Sequence, residues 1–373
     1  MYLENWLEQK LSDRKEKGNY RELTISNNKI DFVSNDYLGL ARSAEIHQRV
    51  LNELSSLPAP FNGSTGSRLL AGNSELAEET EYFLSRIFES DTTLLFNSGY
   101  AANTAVLSCI PQEGDIIFYD ELVHACMHDG MRLSKASRVK FNHNDLQDLE
   151  TKLNSSSGKR FIAVESLYSM DGNYCPLQEL VRLAERFDAA IILDEAHSTG
   201  SFGKNGSGLA IEKGVAEKIP IRIYTFGKAM GAHGACVVGS HTLKNYLINF
   251  ARPFIYSTAM PPHSLLAIKH AFQFLQNNIH LQKALQERIN YFLIRSKKLS
   301  YQKIESTSAI QSVMLPGNKE VMALACCLDS VGIDCKGIRS PTVKAGTERL
   351  RICLHSFNTE TEIDTLVETL NKF

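Results

Sequence analysis

Seven short β-rich runs alternate with helical patterns between Ser74 and about Gly239, and this alternation limits the possible fold more than any other feature of the chain. Strands that are separated by helices pair mostly in parallel, with helices covering both faces of the sheet. The sequence therefore predicts an α/β fold built on a mainly parallel, seven-stranded sheet. The predicted strands are Thr92–Phe96, Asp115–Tyr119, Arg138–Phe141, Phe161–Glu165, Ala189–Asp194, Ile221–Phe226 and Ala235–Val238.

Three regions are predicted along the 373 residues. Residues 46–250 form the large domain that contains the sheet. Residues 251–373 contain one long helical region, from about Pro262 to Lys298, followed by a smaller α+β domain. Residues 1–45 form an N-terminal arm, and its first helix is predicted to be amphipathic with an apolar face of Leu3, Trp6, Leu7 and Leu11.

The composition is that of an ordinary globular chain, with 43% hydrophobic and 22% charged residues. A net charge of −2 argues against a large nucleic-acid surface. No run approaches the roughly 20 apolar residues that cross a bilayer, and the first residues lack the apolar stretch of a signal peptide. We therefore expect no membrane partner and a cytoplasmic location. The eight cysteines show no C-x-x-C spacing, which argues against a zinc site or a disulfide framework.

Two of the predicted strands end in polar side chains that can carry chemistry. One ends in Asp194, and His197 follows three residues later. The other carries Thr225 near its end, and Lys228 follows three residues later. Ligands bind at the carboxyl ends of strands in sheets of this type. An acid, an imidazole and a lysine that converge there suggest a pyridoxal phosphate site, with the lysine as nucleophile and the acid beside the pyridine nitrogen.

Two further segments offer groups that bind anions. Phe96–Asn103 is predicted as a strand, a glycine turn and the start of a helix. The N–H groups at such a helix N-terminus favour an anion, here the cofactor phosphate. Ser257 and Thr258 lie shortly before Pro262, which is predicted to start a helix, and so occupy a second position suited to an anion.

Two other interpretations of these motifs are rejected on the sequence itself. His124 and His128 have the spacing of two zinc ligands on a helix, but H-E-x-x-H is absent and no third ligand is evident nearby. We interpret His124 as a ring stacked on the cofactor and His128 as a surface residue. Asp194–His197 also matches a D-E-A-H box, but the phosphate-binding loop that a motor ATPase requires upstream is missing. We therefore expect no metal and no ATPase activity.

Arg349 and Arg351 share one strand-like segment near the C-terminus. Next-but-one neighbours lie on the same face of an ideal strand, so the pleat alone cannot distinguish them. One can bind a carboxylate through both of its guanidinium nitrogens, while the other is paired or solvated near the strand end.

Three of these segments, taken in order, resemble the α-oxoamine synthases: Asp-Glu-Ala-His at 194–197, Thr-Phe-Gly-Lys at 225–228 and Tyr-Ser-Thr-Ala-Met-Pro-Pro at 256–262. Members of that family are fold-type I pyridoxal phosphate enzymes that join an amino acid to an acyl thioester and release carbon dioxide. The resemblance extends from Asn35 to Arg351. It implies a fold-type I transferase that is active as a homodimer with shared active sites.

The resemblance also implies roles for the matching residues. Lys228 would form the Schiff base, Asp194 would bind the pyridine nitrogen, and His197 would bind the phenolic oxygen. The remaining cofactor contacts would come from His124, stacked on the ring, from Gly99, Tyr100, Ser169 and Thr225, and from Ser257 and Thr258 of the partner subunit. The substrates would be bound by Asn35 and Arg351 at the amino-acid carboxylate, by His124, and by Thr342 and Arg21 at the acyl group.

Within the family, the segments Asn35–Tyr37, Phe250–Arg252 and Pro341–Val343 resemble the branch that joins L-alanine to a pimeloyl thioester in biotin biosynthesis. The thioester would be carried by coenzyme A or by an acyl carrier protein. The branch that uses glycine and acetyl-CoA stays open as an alternative. A non-catalytic scaffold is a more distant one, and the intact set of Asp194, His197 and Lys228 argues against it.

Three positions depart from the family pattern. Thr65 stands where glycine is frequent, Lys344 where proline is common, and His233 where small residues are frequent. These positions concern the acyl-binding region or the edge of the cofactor site. Acyl specificity is therefore left open by the sequence, whereas the cofactor is not.

Overall fold

The computed structural model describes residues 2–25, 29–58 and 62–373. The helices are α1 (Tyr2–Glu16), α2 (Ala44–Ser56), α3 (Glu75–Ile87), α4 (Gly99–Cys109), α5 (Ala125–Leu133), α6 (Leu146–Asn154), α7 (Leu177–Arg186), α8 (Leu209–Glu212), α9 (His241–Phe250), α10 (Arg252–Ile255), α11 (Pro262–Asn277), α12 (His280–Arg295), α13 (Asn318–Ser330) and α14 (Glu360–Lys372). The strands are β1 (Ile30–Asp31), β2 (Thr92–Phe96), β3 (Ile116–Asp120), β4 (Ser137–Phe141), β5 (Arg160–Glu165), β6 (Ala189–Asp194), β7 (Ile221–Thr225), β8 (Ala235–Gly239), β9 (Ile310–Met314), β10 (Ile333–Asp334), β11 (Lys336–Ile338) and β12 (Arg349–Cys353).

The chain divides into two compact units. Unit 1 comprises Met1–Tyr37, Met170–Asn173 and Lys283–Phe373, and unit 2 comprises Leu38–Ser169 and Tyr174–Gln282. This division differs from the regions 1–45, 46–250 and 251–373 that the sequence suggests, and those regions remain a prediction.

Unit 2 contains the seven-stranded sheet, in the order β2-β8-β7-β6-β5-β3-β4. β8 runs antiparallel to both of its neighbours, β2 and β7. The other neighbouring strands are parallel. The prediction of a mainly parallel α/β sheet is therefore confirmed.

The central strands of unit 2 are buried along almost their whole length. Ile162, Ile192 and Ile223 are fully buried, and they belong to a core that also includes Leu107 of α4 and Leu180 of α7. A sheet covered by helices on both faces needs continuous apolar strands, which is why β5, β6 and β7 carry few polar residues before their ends. Glu165, Asp194 and Thr225 are the last residues of these parallel strands, and this places them at the same edge of the sheet.

Unit 1 is built from smaller sheets and helices. Strands β11, β12 and β9 form an antiparallel sheet, and β1 pairs in parallel with β10. α14 begins with a capping box, in which the Thr359 hydroxyl accepts from the Glu362 N–H and the Glu362 carboxylate accepts from the Thr359 N–H. Unit 1 is thus α+β.

Two features of the helices differ from what the sequence suggests. The prediction of a single helical region from Pro262 to Lys298 is wrong, since α11 ends at Asn277 and α12 begins at His280. Asn278 between them has φ −128° and ψ 42°, outside the helical region. Asparagine competes for backbone hydrogen bonds and so favours helix ends. The predicted N-terminal helix is present, but none of the described residues of α1 is buried and Trp6 is 49% exposed.

Candidate active site

A cavity of about 240 Å³ lies in unit 2, at the carboxyl ends of β5, β6 and β7 and the N-termini of α4 and α5. Seven of the residues predicted from the sequence line it: Gly99, Tyr100, His124, Asp194, His197, Thr225 and Lys228. The other lining residues are Ser98, Asn103, Cys126, Glu165, Ala196, Gly227, His233 and Gly234. The fold therefore brings together the acid, the imidazoles and the lysine that the strand ends predict.

Asp194 is held rigidly at the end of β6. Its Oδ1 accepts a hydrogen bond from the backbone N–H of Ala196 at 2.8 Å, and its Oδ2 accepts one from Asn103 Nδ2 at 2.7 Å. The residue is 4% exposed. Because both oxygens have a donor, the carboxylate has a fixed orientation in the cavity wall.

Asn103 was not singled out in the sequence, although it ends the Phe96–Asn103 segment. Its Nδ2 also donates to the backbone oxygen of Gly99 at 3.1 Å, so one amide links Asp194 to the first turn of α4. Its Oδ1 is buried and has no hydrogen-bond partner among the described residues. Such a buried acceptor in the wall of a cavity is typical of a site that receives a ligand.

The N-terminus of α4 forms a tight cradle. Ser98 caps the helix by accepting from the Ala101 N–H at 3.1 Å, while the N–H groups of Gly99 and Tyr100 have no intrahelical acceptor. A Cβ atom on Gly99 would lie 2.4 Å from Thr225 Cγ2, so only glycine fits beside the end of β7. The position suits a small anion.

Lys228 lies in a loop that its own backbone closes. The N–H of Phe226 donates to Gly234 O at 2.9 Å, and the N–H of Gly231 donates to Lys228 O at 2.8 Å. Gly231 has φ +62°, and a Cβ atom there would lie 2.1 Å from Ala41 N. Gly231 is therefore required by the conformation of the loop that presents the lysine.

His124 is the N-cap of α5. Its Nδ1 accepts from the backbone N–H of Cys126 at 3.3 Å. Partial loss of solvent around the ring lowers its pKa. The charge of Asp194 acts in the opposite direction, and the charge of Lys228 lowers the pKa further.

Glu165 is a second acid in the cavity that was not singled out in the sequence. It ends β5 and lies opposite Asp194 in the strand register. Burial, followed by the charge of Asp194, raises its pKa to about 8. Its Oε1 is buried without a hydrogen-bond partner among the described residues. Its position at a strand end was the available signal, but the sequence does not show which strand ends are neighbours.

Three predicted cofactor contacts do not line this cavity. Ser169 is buried at the end of one segment of unit 2. Ser257 and Thr258 line a different and much smaller cavity, where Asn97 Nδ2 donates to Thr258 O at 2.8 Å. This chain by itself therefore does not bring the two hydroxyls to Lys228.

The residues predicted for the amino-acid carboxylate meet within unit 1. Arg351 Nη2 donates to Asn35 Oδ1 at 3.0 Å, and the Tyr37 hydroxyl donates to the same oxygen at 3.0 Å. Arg349, which is buried, instead forms an ion pair with the half-buried Asp171. The two arginines, which the sequence could not separate, thus have different partners.

The residues predicted for the acyl group also meet within unit 1. Arg21 Nη2 donates to Thr342 Oγ1 at 3.0 Å. Both line a cavity of about 210 Å³, together with Asn19, Gly337, Ile338, Arg339, Ser340 and Pro341. Of the three departures from the family pattern, His233 lines the cavity of Lys228, whereas Thr65 and Lys344 are exposed elsewhere.

The structure also bears on a metal site, on His128 and on membrane-spanning helices. Among the residues that the structure describes, no group of three His, Cys, Asp or Glu side chains is placed to hold a metal ion. The ring of His128 packs edge-on against Tyr119, with 5.3 Å between the centroids. No helix in the described part of the chain combines the length and the apolar character needed to span a membrane.

The residues of the unit 2 cavity fit pyridoxal phosphate. A fixed carboxylate, an open helix N-terminus beside a glycine and a lysine on a closed loop match the pyridine nitrogen, the phosphate and the aldehyde of that cofactor. The unpartnered buried oxygens of Asn103 and Glu165 indicate a site built for an additional polar group.

Comparisons with known proteins agree with this geometry. Residues 27–370 match the model for the aminotransferase class I and II family. The 8-amino-7-oxononanoate synthase of Emericella nidulans is 40% identical over 395 residues, covering 99% of this chain and 95% of that protein. Two solved structures are also similar. The 8-amino-7-oxononanoate synthase of Francisella tularensis has a TM-score of 0.80 and 29% identity, covering 92% of this chain and 97% of its own. A variant of serine palmitoyltransferase from S. paucimobilis with bound PLP–myriocin aldimine has a TM-score of 0.89 and 25% identity, covering 99% of this chain and 96% of its own.

Proposed function

Because the chain belongs to the aminotransferase class I and II family, we propose that it joins L-alanine to a pimeloyl thioester and releases carbon dioxide, giving 8-amino-7-oxononanoate for biotin biosynthesis. The observation that carries the proposal is the 40% identity to an 8-amino-7-oxononanoate synthase over 99% of this chain. Relatives of this name also confirm the resemblance to the α-oxoamine synthases that the sequence motifs indicate.

The cofactor is pyridoxal phosphate, and when bound it supplies an electron sink for the negative charge that develops on the substrate α-carbon. The N–H groups of Gly99 and Tyr100, with the Thr225 hydroxyl, hold the phosphate. Asp194 keeps a negative charge beside the pyridine nitrogen and so keeps that nitrogen protonated. The fixed bonds from Asn103 and Ala196 mean that Asp194 needs no rearrangement to do so.

Lys228 would hold the cofactor, and its Nζ would take the proton from the α-carbon of L-alanine. His197 hydrogen-bonds the phenolic oxygen of the cofactor. His124 covers one face of the cofactor and contacts the substrate. Both imidazoles lie in the wall of the same cavity as Lys228, which supports this division of roles.

Substrate binding is assigned to unit 1. Arg351 and Asn35, already joined by a 3.0 Å hydrogen bond, hold the carboxylate of L-alanine. Arg21 and Thr342 contact the acyl group, and Arg21 offers a cation for the free carboxylate of a pimeloyl chain.

The active unit is a homodimer in the cytoplasm. Ser257 and Thr258 line a separate cavity in their own chain, which supports their acting on the phosphate bound by the partner subunit. Coenzyme A and an acyl carrier protein are both candidate carriers of the thioester, and a direct comparison of the two decides between them.

A substrate comparison tests the function. Purified protein loaded with pyridoxal phosphate is given L-alanine with pimeloyl-CoA or pimeloyl-carrier protein, and glycine with acetyl-CoA, while thiol release is followed. We expect turnover with L-alanine and a pimeloyl thioester, and complementation of a strain that lacks this condensation. Turnover with glycine and acetyl-CoA alone would instead assign the chain to the glycine-using branch.

A further inference from the structure

The environment of His124 defines which of its two ring nitrogens carries a proton. Nδ1 lies 3.3 Å from the backbone nitrogen of Cys126, which can only donate. It also lies 3.0 Å from the Sγ atom of the same residue. A nitrogen that accepts a backbone hydrogen bond cannot itself be protonated, so the ring proton is on Nε2 and the thiol must be the second donor to Nδ1.

We infer that Cys126 is a positioning residue that fixes His124 as a neutral ring with its proton on Nε2. Cys126 is 3% exposed and lines the cavity beside His124. Burial, then the charges of Asp194 and Glu165, raise the pKa of its thiol, so the sulfur keeps the proton that it donates. The helix cap and the thiol therefore hold the ring in one orientation and one tautomer.

Several charged or titratable groups act on His124 besides Cys126. Asp194 at the end of β6 raises the pKa of the ring, and Lys228 in the loop after β7 lowers it. The Glu165 carboxylate at the end of β5 accepts from the backbone N–H of His124, and His128 lies one turn along α5. His197 and His233 line the same cavity. Against this background, two donors on Nδ1 favour the neutral ring, because protonation of Nδ1 would break both bonds.

The role of this arrangement in turnover rests on the proposed function: His124 would act in the cavity as a hydrogen-bond donor through Nε2, and it would not act as a base. The arrangement itself is independent of which substrates are condensed. Nitrogen NMR of the protein tests the positioning role of Cys126, and a turnover assay tests the proposed function. The two claims can therefore fail separately.

The first test is nitrogen NMR of the holoenzyme labelled with ¹⁵N-histidine, with the His124 signals assigned by their loss in His124→Gln. We expect one unprotonated nitrogen at Nδ1 and one protonated nitrogen at Nε2 near neutral pH. A proton on Nδ1 would overturn the inference. If the NMR result is as expected but no thioester is condensed, the proposed function fails and the positioning role stands.

The second test compares Cys126→Ala with Cys126→Ser in the pH titration of the assigned His124 nitrogen signals. Removing the donor raises the pKa of His124, so the titration midpoint moves up by roughly 0.5–1 pH unit in Cys126→Ala. Cys126→Ser retains a donor and keeps the midpoint in place. Cys236→Ala, which removes a buried thiol in β8 outside this cavity, controls for loss of volume. Equal midpoints for the alanine and serine variants would overturn the role of the thiol, and NMR of Cys126→Ser covers the case in which Cys126→Ala does not fold.

Discussion

Polar groups are held by different means in the two units of this protein. In unit 2, the positions of Asp194 and Gly99 are set by strand ends and helix starts, and the donors around them are largely backbone N–H groups. In unit 1, Arg351 is held by the side chain of Asn35, a residue 316 positions away in the sequence. A backbone-defined site tolerates changes in its neighbours, because the main chain stays where the sheet puts it. A site defined by side chains fails when one partner is removed.

The largest effect is expected for Lys228→Ala, which removes the reactive group of unit 2 without disturbing its backbone. We expect kcat to fall by roughly 10³-fold or more, since both a nucleophile and a base are lost. Steady-state kinetics measures the loss of kcat, and the far-ultraviolet circular dichroism spectrum shows whether the fold is retained. Lys204→Ala, at an exposed position in the same unit, is the matched control. Borohydride labelling of a lysine other than Lys228 would contradict the assignment.

Asp194→Asn tests whether the charge at the strand end matters apart from its geometry. The amide has nearly the same shape, so the fold and some cofactor binding are retained. We expect turnover to fall by roughly 10²–10³-fold, because a preorganised charge is lost. Glu217→Gln removes an exposed carboxylate of the same unit as a control. Turnover near that of wild type would show that the carboxylate does not act on the cofactor.

The two arginines of β12 test whether side-chain partners in unit 1 serve substrate binding or stability. Arg351→Ala should raise the KM for L-alanine by roughly 30-fold or more, and Arg351→Lys should recover only part of this because lysine lacks the planar fork.

Arg349→Ala should act on stability, because it leaves the largely desolvated carboxylate of Asp171, 13% exposed, without its partner. We expect a loss of about 3–5 kcal/mol in the free energy of unfolding. Titration with L-alanine and urea denaturation separate the two effects. An Arg349→Ala protein of normal stability but weak alanine binding would reverse the assignment.

At acidic pH the smallest effect is expected for Glu165→Gln, because glutamine resembles the protonated side chain that the folded protein favours there. The native pKa of Glu165 is raised from about 4.5 to about 8, so the unfolded chain releases this proton at a lower pH than the folded one. The stability of wild type therefore falls as pH rises through this window, and glutamine removes that loss. The unfolding free energy of Glu165→Gln relative to wild type should thus increase from pH 4.5 to 8 in denaturation of the cofactor-free protein. A constant difference would mean that Glu165 is ionised in the native state.

The sequence was most informative where the backbone decides the outcome. The end of β6 at Asp194 lies where the apolar run predicts it, because a buried strand requires continuous apolar residues. The loop after Lys228 also follows from its sequence, since Gly231 and Gly234 have positive φ angles that favour glycine. The sequence pattern does not predict which strands are neighbours, because that depends on the order of all the strands in the sheet. Asn103 and Glu165 were missed for this reason, since both lie beside Asp194 of another element. Cys126 was missed because the sequence does not show that its thiol approaches the His124 ring, and the break between α11 and α12 was missed because one asparagine decides it.

The position of β8 has a consequence for how the protein is made. β2 lies at the edge of the sheet and joins it through β8, which is synthesised about 140 residues later. Until residue 239 has left the ribosome, the turn at Gly99 has no strand connecting it to β7 and its Thr225. A nascent chain that stops before β8 therefore contains Asp194, Thr225 and Lys228 but no assembled cradle. We therefore expect the phosphate cradle to assemble late in synthesis, only after β8 has been made.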